Sequence, residues 1–155
     1  MSVRIIENYE QLESLTGQEL GVSEYFTISQ EQINRFADVT LDRQWIHVDE
    51  ERAKAESPFK STIVHGYLTV SMLPYLWAQI MEVHNLKMQV NYGIEKLKFN
   101  QPVLSGGAVR LRARLLSVNN LRGIIKANIG VTMEIKDNPK PAFEGTVIFV
   151  YHFNK

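Results

Sequence analysis

The chain has no cysteine among its 155 residues. Disulfides, thiolate metal sites and cysteine nucleophiles are therefore excluded. It also lacks net charge, since 17 Lys and Arg balance 17 Asp and Glu. That balance leaves no electrostatic footprint for nucleic acid or an anionic membrane, and little charge to resist self-association. No basic-then-apolar leader opens the sequence, so a cytoplasmic protein is expected rather than a secreted one. The four histidines, at 47, 65, 84 and 152, are scattered and have no cysteine to complete a ligand set, so no metal site is expected. Repeats, low-complexity runs and linkers are missing too. Residues 1–155 read as one domain, long enough to bury a core without staples.

What is present changes period along the chain. Glu7 to Leu15 has a short polar helical pattern, and Gln18 to Ile28 reads as extended. Ser29 to Gln32 has the spacing of a capping box, followed by Ile33, Phe36 and Ala37 at helical intervals. Asp49 can cap a further helix that Ser57-Pro58 stops. Gly66 to Val83 is apolar on nearly every side; as a helix it would be about 27 Å long. Ser71, Pro74, Gln79 and Glu82 interrupt it, and no basic flanks bracket it. A buried central helix, bent at Pro74, fits better than a membrane span. The second half alternates instead: Val109 to Leu115, Ile125 to Ile135 and Phe143 to Phe153 read as strands, with turns at Asn119 to Gly123 and Lys136 to Pro139. Leu86 to Phe99 reads as another strand, bulged near Gly93. The expected class is α+β, an antiparallel sheet wrapped around one long central helix.

Between the two short helical patterns, Asp42 and His47 stand five residues apart in an irregular segment flanked by Trp45 and Ile46. A carboxylate and an imidazole presented by a loop could form an acid/base pair. Equally, Asp42 could cap the next turn and His47 be a surface or core histidine. His65 could be a third reactive group or a hydrogen-bonded structural residue. Gly66 would let a ligand oxygen approach an uncovered amide at a helix start, where the dipole is positive; the alternative is close packing against a strand. The Arg110, Arg112 and Arg114 face is either solvated or paired with a partner subunit.

The run FADVTLDRQWIHVDEERA, followed by IVHGYL, resembles the MaoC-like dehydratases and (R)-specific enoyl-CoA hydratases of the hotdog fold. Their typical pattern is GD-x-N-P-[LI]-H and then [ILV]-[VA]-H-G. QWIHVD and NYGIEKLKF are similar to the nodulation-protein-N-like branch. The resemblance implies catalytic roles for Asp42 and His47, and a Gly66 amide that holds a thioester carbonyl. Leu41, Gln44 and Trp45 depart from the Gly, Asn and Pro of many members. Gln44 keeps a hydrogen-bonding group beside the substrate, and Trp45 is placed to wall an acyl tunnel.

The resemblance further implies an acyl-CoA or acyl carrier protein thioester as substrate, no cofactor and a homodimer joined edge to edge. The reaction it implies is hydration of a trans-2-enoyl thioester, or the reverse dehydration of a 3-hydroxyacyl thioester. Two rivals remain, an acyl-CoA thioesterase on the same fold and a non-catalytic binder of acyl thioesters or lipid signals.

Overall fold

The computed structural model describes residues 2–154. In chain order the elements are β1 (Arg4–Ile6), α1 (Tyr9–Glu13), β2 (Glu19–Val22), β3 (Phe26–Thr27), α2 (Gln30–Thr40), α3 (Trp45–Val48) and α4 (Glu50–Glu56). After them come α5 (Gly66–Ser71), α6 (Leu73–Trp77), β4 (Met81–Val83), β5 (Leu86–Phe99), β6 (Ala108–Leu121), β7 (Ile124–Ile135) and β8 (Phe143–Phe153). The main sheet is antiparallel in the order β2-β6-β7-β8-β5, with β3 also paired to β6.

Alternation builds this sheet. Val109, Leu111, Ala113 and Leu115 of β6 are buried, as are Ile125, Ala127, Ile129, Val131 and Met133 of β7. These residues meet Leu68, Leu73, Leu76 and Trp77 of α5 and α6 in one core cluster. Trp77 packs edge-on against Phe149 of β8, with ring centroids 5.2 Å apart. The arginine face of β6 stays out of the core, and Arg110 and Arg112 on it are paired within the chain. Arg110 and Arg112 both donate to Glu134 of β7, at 2.6 and 2.7 Å, and Arg112 also reaches Glu19 of β2. These bonds outweigh partial burial and hold the Glu134 carboxylate below its ordinary range.

The central helix is shorter than its apolar run. Pro74 has no N–H for the helical ladder, and the run is interrupted at Met72, with the proline in the first turn of α6. It ends at Trp77, and Met81–Val83 instead pairs in parallel with Arg4–Ile6. Nor is the run covered all round: Tyr67, Ser71, Pro74, Tyr75 and Ala78 form an exposed stripe at helical spacing. Among the described residues, no helix is long and apolar enough to cross a membrane. Near Gly93 the pairing of β5 with β8 shifts register, as expected there, and it shifts twice more along the strand.

Candidate active site

The site is assembled where α2 ends, α3 follows and α5 begins. Both bonds of the capping box form at the start of α2, Gln32 N–H to Ser29 Oγ and Ser29 N–H to Gln32 Oε1. The helix stops at Leu41, which adopts φ 66°. This left-handed conformation favours glycine, the residue the family pattern has there. The reversal carries Asp42 out of the helix with its side chain half exposed. Its carboxylate is 3.5 Å from the Gln44 amide, too long for a firm cap.

His47 is only 7 % exposed. Its Nδ1 lies 2.7 Å from the Ile63 carbonyl. A carbonyl can only accept, so Nδ1 carries the hydrogen and Nε2 is left as the free base. Gln30 secures the same residue from α2: its Nε2 donates to the His47 carbonyl at 2.7 Å, while its Oε1 accepts from the buried Thr62 hydroxyl. The Ile63 amide completes the lock by donating to Ile46 O. Burial pushes the His47 imidazole below its ordinary value of 6.5. The neighbouring His65 adds to that effect, which outweighs the opposing pull of the Ile63 bond and Asp42.

His65, 2 % exposed, joins this pair. Its ring stacks on His47 with centroids 3.9 Å apart and planes 21° from parallel. Its Nε2 donates to the main-chain carbonyl of Asp42 at 2.9 Å. One side-chain atom from each of Asp42, His47 and His65 falls in a group within 4.8 Å of one another. Two of the four scattered histidines thus meet in space. Their rings meet by their faces, whereas imidazoles sharing a metal ion converge through lone pairs that lie in their ring planes. The arrangement suits proton handling better than metal ligation.

Gly66 opens α5 beside this group. No side chain caps the helix, and among the described residues the Gly66 amide has no acceptor. Since α5 runs only to Ser71 before the interruption, the amide itself matters here more than a long-helix dipole. The packing alternative also holds: a Cβ on Gly66 would meet the Phe99 ring at 2.9 Å. Asp42, His47, His65, Gly66 and Phe99 line a common cavity of about 530 Å³.

Gln44 and Trp45 are outside that cavity. Gln44 is exposed and gives α3 no side-chain cap. Trp45 lies under the Arg52 guanidinium, 4.3 Å from its ring centre. Neither residue lines it: Gln44 stands before α3 as its N-cap, and Trp45, two places from His47, turns its ring to Arg52 instead. The site also draws on Gln30 and Thr62, and on the opposite wall of Phe99, Asn100 and Gln101. No local pattern marks them, since they reach the site only through tertiary contacts.

A family model described as a MaoC like domain matches residues 11–136. The chain belongs to the MaoC-like dehydratase family. It is 42% identical over 141 residues to 3-hydroxyacyl-thioester dehydratase Z of Mycobacterium tuberculosis, covering 90% of this chain and 93% of that one. It is also 42% identical over 144 residues to Nodulation protein N of Rhizobium meliloti, covering 91% and 89%. Among solved structures, R-Hydratase PhaJ1 from Pseudomonas aeruginosa superposes with a TM-score of 0.72 at 21% identity, over 90% of this chain and 83% of that one. This MaoC-like chain therefore has the hotdog fold, its sheet wrapped around the α5–α6 run.

Proposed function

We propose that this MaoC-like protein is an (R)-specific enoyl-thioester hydratase, or the 3-hydroxyacyl-thioester dehydratase running in reverse. The observation that carries the reading is the free Nε2 of His47 beside the Asp42 carboxylate, on the cavity that Gly66 also lines. The name of the mycobacterial relative and that of the R-hydratase sharing the fold support the same reading.

In this scheme the thioester carbonyl of a trans-2-enoyl substrate accepts from the Gly66 N–H, which leaves the β-carbon electrophilic. His47 Nε2 takes a proton from water as the water oxygen bonds to that carbon. Asp42 holds the same water and helps deliver the proton taken from it to the α-carbon, so the elements of water add across the double bond. The contact at Gly66 strengthens as enolate charge builds on the oxygen, so it acts on rate more than on binding. The lowered proton affinity of His47 keeps it a base at neutral pH. CoA or an acyl carrier protein arm is the handle of the substrate. The scheme treats residues 1–155 as one cytoplasmic domain working as a homodimer, and it draws on no metal or redox cofactor.

A second reading, a non-catalytic acyl-thioester binder, is favoured by the equal identity to a relative whose name states no reaction. One assay separates the two. Crotonyl-CoA and a longer trans-2-enoyl-CoA are followed by absorbance with wild type, Asp42→Asn and His47→Ala. Wild type is expected to remove the enoyl band and each variant to be at least about a hundredfold slower. Near-wild-type rates in either variant would sink the assignment. Thiol release would indicate a thioesterase, and saturable binding with a flat trace would indicate the binder.

A further inference from the structure

His65 takes no part in the chemistry just described, yet it touches both groups that do. Its Nε2–H is committed to the Asp42 main-chain carbonyl, while the Asp42 carboxylate oxygen is 3.9 Å from the same nitrogen. That distance is beyond a hydrogen bond. His65 therefore anchors the backbone of Asp42 and leaves its carboxylate free for a water. The ring is held between two others: Phe36 of α2, with centroids 4.9 Å apart, and His47 at 3.9 Å. Among the described residues, its Nδ1 is buried without a partner. A purely structural histidine usually finds partners for its buried nitrogens. This one is fixed by one edge and by its face.

We propose that His65 is a positioning residue, a single buried side chain that sets the spacing of the Asp42 carboxylate and the His47 base. The inference rests on the functional reading above. Each contact leads to its own consequence. Losing the Nε2–H donor frees the Asp42 segment and misplaces the carboxylate, which costs turnover. Losing the ring face lets water reach His47 and removes the neighbouring imidazole that helps disfavour its protonation. Asp42 is the other titratable group acting on that ring. Gln30 from α2 is uncharged, as are Asn100 and Gln101 across the cavity.

Two substitutions in the full-length protein divide these roles. His65→Gln keeps an N–H near the place of Nε2 without the ring; His65→Phe keeps the ring without the donor. The His47 imidazole is titrated by NMR and turnover is followed by enoyl-CoA absorbance. His65→Phe is expected to lower kcat about tenfold with little change in KM, and to leave His47 titrating below 6.5. His65→Gln is expected to stay closer to the wild-type kcat, while the His47 titration and the acidic limb of kcat/KM both move up. The sign follows from burial: His47 holds its proton less tightly than a free imidazole, so wild type stays active as pH falls past 6.5. A folded His65→Phe at wild-type rate overturns the assignment, as does His65→Gln with an unmoved titration. If wild type hydrates no enoyl thioester, the functional reading fails on its own account. The two imidazole titrations then still decide the role of His65.

Discussion

Gly66 has two physical reasons to be glycine, and they predict different rescues. A Cβ there would press on the Phe99 ring, and it would also stand between the amide and an arriving carbonyl oxygen. Phe99 is 46% exposed, so its ring has room to swing away. Gly66→Ala should therefore fold and slow turnover by about a hundredfold, the scale of a misplaced reacting group. Adding Phe99→Ala removes the packing conflict without clearing the path of the oxygen. We expect no recovery of kcat in the double variant, checked by the enoyl absorbance assay beside melting curves. Full recovery would reduce Gly66 to a packing residue. The same scale shows what the sequence made legible. Asp42, His47 and Gly66 fall in two short motif runs, and the fold brings both runs to one cavity. Gln44 and Trp45 join them only through the resemblance, as departures from the Asn and Pro of many members. Residues one or two places apart on a helical turn do not share a face, so Trp45 lies under Arg52 while His47 turns inward.

At the scale of elements, the lock around His47 depends on how α2 meets α3 and the segment before α5. Gln30 joins all three through two bonds. Its removal leaves the buried Thr62 hydroxyl and the His47 carbonyl without that partner. Gln30→Ala should therefore cost about 1–3 kcal/mol of stability, read by urea denaturation. Thr62→Val removes the donor of one of those bonds, so the double variant should cost less than the sum, by about 0.5 kcal/mol or more. Strict additivity would show that the two side chains act independently. Periodicity located the strands well, since alternation is a local property. Register was less legible, as the β6–β7 hairpin shows. Arg122 and Gly123 both have positive φ and Leu121 pairs with Ile124, a two-residue turn of the kind that sets register. Strict pairing from that turn would put Arg110 opposite Ile135. The register shift between Leu115 and Ser117 puts Glu134 there instead, which is why the charge ladder was hidden. The central helix is shorter than its apolar run for a similar reason: the run does not reveal that its last residues pair with a strand near the N-terminus.

At the scale of the molecule, the sheet ends at β5, a 14-residue strand whose outer edge has no partner strand among the described residues. Val90, Tyr92 and Ile94 on it are exposed, and so are Tyr67 and Tyr75 on the adjoining helix run. Between the two elements runs a groove of about 320 Å³, lined by Val70, Pro74, Gly93 and Ile94. A long apolar edge invites pairing, and contiguous apolar patches of this kind mark contact surfaces more often than free ones. The chain carries no net charge to oppose the approach of a second copy. The homodimer proposed above, joined through β5, would account for the edge, the stripe and the groove together. Light scattering of the wild type should give twice the chain mass, with a Tm that rises with protein concentration. Ile94→Lys places a charge on the edge proposed to pair and should shift the protein to monomers. Because the cavity near Gly66 borders the same helix run, the monomer should also lose turnover even though Asp42 and His47 are untouched. A wild type that stays monomeric at tens of micromolar would remove the dimer from the reading. The exposed apolar stripe would then need another partner to cover it.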